Sequence, residues 1–200
     1  MFGQIRHGSD RVLVIARQKD DPVAALDDWI GSQYGRTQVI ETFHELGGSE
    51  YYKLKGYLGA SVPKVKGAKA KRTFKVITKA IDMGLVRSCH DLSEGGLAVA
   101  AAEMAFAGDL GAEVDLSQLP GKGLIRNDFA LFSESNSRFV VTIPPEKKDA
   151  FERMMEGTAC SCVGFVVLDP RLVVWSGGVR IIDSEIESLK EAWKSTLREM

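Results

Sequence analysis

The segment His90-Asp91-Leu92-Ser93-Glu94-Gly95-Gly96-Leu97, followed by an alanine-rich run to Phe106, constrains the fold of this chain more than any other. Two adjacent glycines permit a sharp turn and a close approach of a ligand or of another backbone. The small residues behind them read as a helix, which Gly108 is expected to end. A helix start offers unpaired N–H groups and a partial positive charge. Two readings of the turn stand side by side. In the first, Gly95 and Gly96 open a phosphate-binding helix start, Ser93 donates to a phosphate oxygen and Asp91 holds Mg2+. In the second, Asp91 is an N-cap, Glu94 reaches back to complete a capping box, and the small residues serve packing alone. His90 is an acid–base candidate by its chemistry and a structural histidine otherwise.

Strand and helix signals surround this turn. Residues 11–17 read as a buried strand, and Asp21-Pro22 opens a helix with Val23, Leu26 and Ile30 on its apolar stripe. Residues 37–46 are ambiguous. Residues 57–71 are rich in Gly, Lys and Ala and suit a linker, so a domain boundary is expected between about residues 50 and 68. Beyond it, residues 69–83 form a helix with Phe74, Ile77, Ala80 and Ile81 on one face and Gly84 as its stop. Residues 112–116 and 138–143 read as strands, with a helical turn at 128–132 between them. Pro144-Pro145 starts a helix through Glu156, closed by Gly157. Strands at 163–168, 172–175 and 179–182 precede a last helix, capped by Ser184, with Ile186, Leu189, Trp193 and Leu197 inward. This order predicts an α+β fold of mixed α/β layers, a mixed sheet packed with helices.

Composition narrows the function classes. The net charge is -1 and no basic patch stands out, so nucleic acid is not an expected partner. No apolar run approaches the roughly 20 residues of a membrane span, and no apolar stretch follows the N-terminal charges, so neither a membrane nor a signal peptide is expected. Three cysteines without framework spacing suit a reducing cytoplasm. Cys160 and Cys162 would share a strand face; buried thiols explain them better than zinc. Ser133-Glu134-Ser135-Asn136-Ser137-Arg138 is a dense polar run between apolar segments. It presents hydroxyls, a carboxylate, an amide and the Arg138 cation to a phosphorylated ligand, or else forms a turn tied by an Arg138–Glu134 ion pair.

Three segments carry a family resemblance. Residues 88–116, SCHDLSEGGLAVAAAEMAFAGDLGAEVDL, resemble the C-terminal domain of phosphoribosylformylglycinamidine synthase (formylglycinamide ribonucleotide amidotransferase), synthetase component. Residues 131–144, LFSESNSRFVVTIP, are similar to that family's next motif, and LGGSEYY, residues 46–52, to its junction between an N-type and a C-type domain. The resemblance covers about residues 46–200 and implies a fold like the C-terminal domain of aminoimidazole ribonucleotide synthetase. Residues 1–50 would then be the tail of an N-type domain and 51–200 a C-type domain. It further implies an ATP-dependent carbon–nitrogen ligase of purine biosynthesis, using ATP and Mg2+. That enzyme converts formylglycinamide ribonucleotide and glutamine-derived ammonia to the amidine in the cytoplasm. Asp91 matches a metal-ligand position and Ser93 a nucleotide-binding one, while Glu134, Ser135, Asn136 and Arg138 lie in the second-half copy of a substrate loop. That loop usually reads Ser-Glu-Ser-Gln-Glu-Arg in first halves, so an auxiliary or vestigial nucleotide site is implied here. The first-half catalytic histidine has no match. The chain is therefore expected to be a fragment, a separately encoded piece or a degenerate relative, inactive alone. Its partners would be the remaining synthetase domains, a glutaminase subunit or domain and a small-molecule nucleotide. The alternatives are a non-catalytic assembly module of that synthetase and another member of the aminoimidazole ribonucleotide synthetase superfamily.

Overall fold

A computed structural model describes residues 36–40, 45–120 and 126–198. The strand expected at 11–17, the helix expected from Asp21 and the assignment of residues 1–35 to an N-type tail lie outside the described residues. The strands are β1 (Arg36–Ile40), β2 (Ser88–Asp91), β3 (Gly111–Asp115), β4 (Phe139–Ile143), β5 (Cys160–Val167), β6 (Arg171–Ser176) and β7 (Val179–Glu185). The helices are α1 (Glu50–Leu54), α2 (Gly67–Asp82), α3 (Gly96–Gly108), α4 (Asn127–Phe132), α5 (Lys148–Met154) and α6 (Ile186–Arg198). One sheet runs β2-β4-β1-β5-β3-β6-β7. Every neighbouring pair is antiparallel except β3 and β6. The α+β architecture expected from the order of signals is the one observed.

The domain boundary is corrected. Strand β1 pairs with β4 on one side and β5 on the other, so it lies well inside the sheet. Residues 36–40 and 45–50, assigned from sequence to a preceding unit, belong to this one. Thr37, Gln38 and Val39 are all buried. Gln38 is tolerated there because its amide donates to Glu152 Oε1 at 3.1 Å and its carbonyl accepts from the Cys160 thiol at 2.8 Å. Burial, and then Glu152, push the Cys160 thiol up to about 12. That keeps it protonated, which suits a hydrogen-bond donor and not a metal ligand. Cys160 packs with the cluster on one sheet face and Cys162 with the cluster on the other, so the shared face expected for them is not kept.

Alternation along β4 sorts the two layers. Val140 joins the cluster under α3 with Ala100, Ala101, Val114, Phe165 and Ile186. Val141 and Ile143 join Ile77 and Ala80 of α2 and Phe151 of α5 on the opposite face. Helix α2 buries Ala70, Thr73, Ile77 and Ala80, whereas Phe74 and Ile81 stay about half exposed. The expected face is thus rotated. Small residues meet the neighbouring layer, and Phe74 lies edge-on to Phe139 with centroids 5.7 Å apart. The stop at Gly84 is a Schellman motif: Gly84 N–H donates to Ile81 O at 2.8 Å and Leu85 N–H to Ala80 O at 2.9 Å.

Two further expectations are corrected. Gly108 remains helical, and Asp109 takes the left-handed conformation at φ 51°. Its carboxylate meets Lys190 Nζ of α6 at 2.9 Å. Ser184 caps nothing, since it lies within β7 and α6 begins at Ile186. Ile186 is buried and Leu189 partly so, but Trp193 is half exposed. Its indole N–H donates to Glu103 Oε1 at 2.8 Å, which holds it at the rim.

Candidate functional site

Three segments far apart in sequence meet at one carboxylate. Glu134 Oε1 accepts the Gly95 N–H at 2.8 Å and the Glu50 N–H at 3.0 Å. LGGSEYY, HDLSEGGL and SESNSR are therefore one structural unit. Ser49 starts α1, accepting from Tyr52 N–H at 3.3 Å and donating to Leu46 O at 2.7 Å. Tyr51 stacks on Phe132 with centroids 4.6 Å apart and planes 1° from parallel. That contact ties α1 to the segment just ahead of Glu134.

Arg138 organises the loop from inside. It is 2% exposed, and its guanidinium donates to the carbonyls of Ser133 and Ser135. Its own carbonyl accepts the Leu92 N–H at 3.0 Å, which binds the loop to the turn after β2. Burial pulls the guanidinium down to about 10, partly offset by Glu45. Arg138 therefore neither reaches a ligand nor pairs with Glu134, and both sequence expectations for it are corrected. Ser135 is also buried, and its hydroxyl has no hydrogen-bond partner among the described residues; Asn136 is exposed.

The turn after β2 differs from both expected forms. Asp91 is the last residue of β2, opposite Phe139, and its side chain is 61% exposed. The N-cap of α3 is Gly95 in a left-handed conformation, so Asp91 caps nothing and no capping box with Glu94 forms. The amide cradle is not open either. Gly95 N–H is held by Glu134, Gly96 N–H donates to Ser93 O at 3.1 Å, and both glycines are buried. The close approach that Gly96 permits is to Leu131 and Ser133 backbone. Asp91, Ser93, Glu94 and Asn136 remain exposed. Among the described residues no three His, Cys, Asp or Glu side chains gather as a metal site. Asp91 alone gives one carboxylate, which fits Mg2+, an ion commonly held by one or two carboxylates with waters and substrate phosphates.

His90 has a partner that spacing does not reveal. Its Nε2 lies 3.1 Å from Glu103 Oε2 and its Nδ1 2.7 Å from Asp91 O, so both ring nitrogens face acceptors. The signal for Glu103 was present: it is the one charged residue in α3. The pair borders a half-open groove of about 610 Å3, walled by Met104, Phe106, Val166 and Trp193.

Removing the shared carboxylate separates these motifs. Glu134→Ala leaves the Gly95 and Glu50 amides without their acceptor and is expected to destabilise by about 1–3 kcal/mol. A thermal melt reads it; unchanged stability would show that the bridge contributes nothing.

Fold and junction together define an α+β domain whose turn after an edge strand carries an exposed carboxylate and hydroxyl. The chain belongs to the AIR synthase-related family through its C-terminal domain, matched over residues 35–176. It is 39% identical over 160 residues to phosphoribosylformylglycinamidine synthase subunit PurL of Caldanaerobacter subterraneus, and 33% identical over 157 residues to that of Thermococcus sibiricus. These alignments cover 77% and 78% of this chain but 21% and 22% of the relatives, so the chain spans about a fifth of their length. Thermotoga maritima PurL complexed with FGAR superposes with a TM-score of 0.68 at 20% identity, covering 78% of this chain and 28% of that one. The ATP complex of the same protein gives 0.61 at 21% identity, covering 78% and 25%. The hydrogenase maturation protein HypE shares the fold, with a TM-score of 0.54 at 14% identity over 76% of this chain and 53% of that one. Among the described residues no helix is long and apolar enough to cross a membrane.

Proposed function

We propose that this chain is the C-type domain of a phosphoribosylformylglycinamidine synthase and forms one wall of a Mg·nucleotide cleft. The observation that carries the reading is the exposed pair Asp91 and Ser93, on a turn fixed from behind by Glu134 and Arg138. The names of the relatives support the same assignment, as do the ATP and FGAR complexes of the structural neighbour. The whole enzyme is an ATP-dependent carbon–nitrogen ligase that activates the amide oxygen of formylglycinamide ribonucleotide by phosphoryl transfer. Ammonia from glutamine then displaces phosphate. When bound, Mg2+ neutralises and positions the phosphates. Asp91 would hold it, and the Ser93 hydroxyl would donate to a phosphate oxygen. Glu134 keeps the Gly95 amide engaged, which fixes the turn between Asp91 and α3. The partners are the remaining synthetase domains and a glutaminase subunit; a PurLQS assembly from T. maritima is among the structural neighbours. The setting is the cytoplasm.

The chain alone is expected to bind Mg·ADP weakly and to show no synthetase turnover with ammonia supplied. Asp91→Asn is expected to weaken that binding about tenfold, since one charge-assisted metal contact is lost. Calorimetry on both proteins is the check. Because Glu134 already fills the amide site at α3, a second reading has support: a non-catalytic module that docks the rest of the synthetase. Calorimetric silence in both proteins, alongside a stable oligomer, would replace the first reading with this one.

A further inference from the structure

Helix α3 is built of small and apolar residues, and Glu103 carries its one charge. The Glu103 side chain is only 25% exposed, and each carboxylate oxygen has its own partner. Oε1 accepts the Trp193 indole N–H of α6 at 2.8 Å, and Oε2 lies 3.1 Å from His90 Nε2. The other side of the same ring reaches Asp91. His90 Nδ1 is 2.7 Å from Asp91 O and 3.7 Å from Asp91 Oδ1. Trp193, Glu103, His90 and Asp91 therefore form one chain of polar contacts from α6 to the end of β2. Helix α6 has other ties to α3: Trp193 packs on Phe106 with centroids 5.7 Å apart, and Lys190 pairs with Asp109. An apolar residue at position 103 would cover this face of α3 without the cost of desolvating a charge.

We infer that Glu103 is a positioning residue: acting through His90, it fixes the strand end from which Asp91 meets a Mg·nucleotide. The inference rests on the nucleotide reading above and adds to it a residue outside the turn. Among the described residues β2 is an edge strand, paired on one side only. Its last residue, Asp91, is exposed. An imidazole held at both ends supplies the missing constraint. One nitrogen is anchored to α3, and the other touches the Asp91 carbonyl and lies near its carboxylate. Outer contacts of this kind orient a ligating group without touching what it holds. Glu103→Ala frees one end of the ring, so Asp91 keeps its charge and loses its fixed direction. Glu103→Gln preserves the frame, because the amide oxygen accepts from Trp193 and the amide N–H donates to His90 Nε2.

The test uses the 200-residue chain with two readouts, the Asp91 amide resonance in the free protein and calorimetry with Mg·ADP. The variants are Glu103→Ala, Glu103→Gln, Asp91→Asn and the double variant Asp91→Asn/Glu103→Ala. Lys190→Ala is the control, since it removes a different tie between α3 and α6. Melting curves confirm that each remains folded. Glu103→Ala is expected to move the Asp91 amide resonance and to weaken Mg·ADP about threefold, the low end of coupling within one hydrogen-bond network. Glu103→Gln and Lys190→Ala are expected to stay near native in both readouts. Added to Asp91→Asn, Glu103→Ala is expected to cost nothing more, because its effect passes through the Asp91 carboxylate. An unmoved Asp91 resonance overturns the inference whatever the binding shows. So does a loss of Mg·ADP in Lys190→Ala equal to that in Glu103→Ala, which would make Glu103 a packing residue. Additive losses in the double variant, or none in Glu103→Ala while Asp91→Asn remains effective, also overturn it and leave the nucleotide reading standing. Silence of the native chain toward Mg·ADP sinks the nucleotide reading and the inference with it.

Discussion

Gly96→Ala is expected to destabilise the domain by about 3 kcal/mol or more. Two costs combine. Gly96 sits at φ +62°, in the left-handed region, where a side chain costs about 1–2 kcal/mol. A Cβ there would also lie 2.6 Å from Ser133 O and 2.7 Å from Leu131 O. Those atoms are backbone at the end of α4, and Ser133 O is itself held by Arg138. They cannot rotate aside as a side chain would. The contact opens only if α3 and the loop at 133–138 separate, which pulls Glu134 off the Gly95 amide. Gly84 supplies the control. It has φ +65° with nothing within 4 Å of the added carbon, so alanine there carries the conformational cost alone. Urea midpoints of the two variants separate the terms. Equal losses at Gly96 and Gly84 would mean that the packing of α3 against the loop is slack.

The glycine pair was legible as a place of close approach, but the approaching group was not. A turn ahead of an alanine-rich helix reads equally well as a phosphate cradle or a packing contact, because both need the same missing side chain. Only the loop from residue 133 decides between them, and it lies almost forty residues away. The capping-box pattern misled for a related reason. Asp91 and Glu94 have the right spacing, yet β2 extends through Asp91 to pair with Phe139, and a strand end cannot also be a helix cap. Strand β1 is hard to read because two of the three side chains described as buried in it, Thr37 and Gln38, are polar. Thr37 and Gln38 break the apolar alternation, and Gln38 finds its partners on α5 and β5. Strands β5, β6 and β7 were readable because their apolar runs are bounded by Asp169-Pro170 and Gly177-Gly178. What the sequence carries well is local: periodicity, stops and turns. The convergence of three motifs on Glu134 is a tertiary fact, and it reached the sequence reading only through the order in which those motifs occur.

Arg138→Leu is expected to cost about 2–5 kcal/mol, although it removes a buried charge. Replacing a buried ion by a hydrocarbon is often neutral when its partner is replaced as well. Here the partners are the carbonyls of Ser133 and Ser135, which no side-chain substitution removes. Both lose a charge-assisted donor in a site with little access to water. The sign of the pH dependence follows from the depressed guanidinium. Its folded pKa of about 10 lies below the ordinary 12.5, so the protonated form is disfavoured by burial. The associated stability is present only above the unfolded value and is lost as pH falls through about 10. Between pH 6 and 9 the burial cost is therefore constant, and the Arg138→Leu deficit should be flat across that range. Arg138→Lys should behave differently. An ammonium has a lower ordinary pKa, near 10.4, and the same burial pulls it toward neutrality within reach of experiment. Its stability relative to the native protein should rise as pH climbs from 7 to 9, while the leucine variant does not change. Chemical denaturation at three pH values would show it. A flat lysine profile would mean that the site admits water, and that the loop under Glu134 is held less firmly than its carbonyl contacts imply.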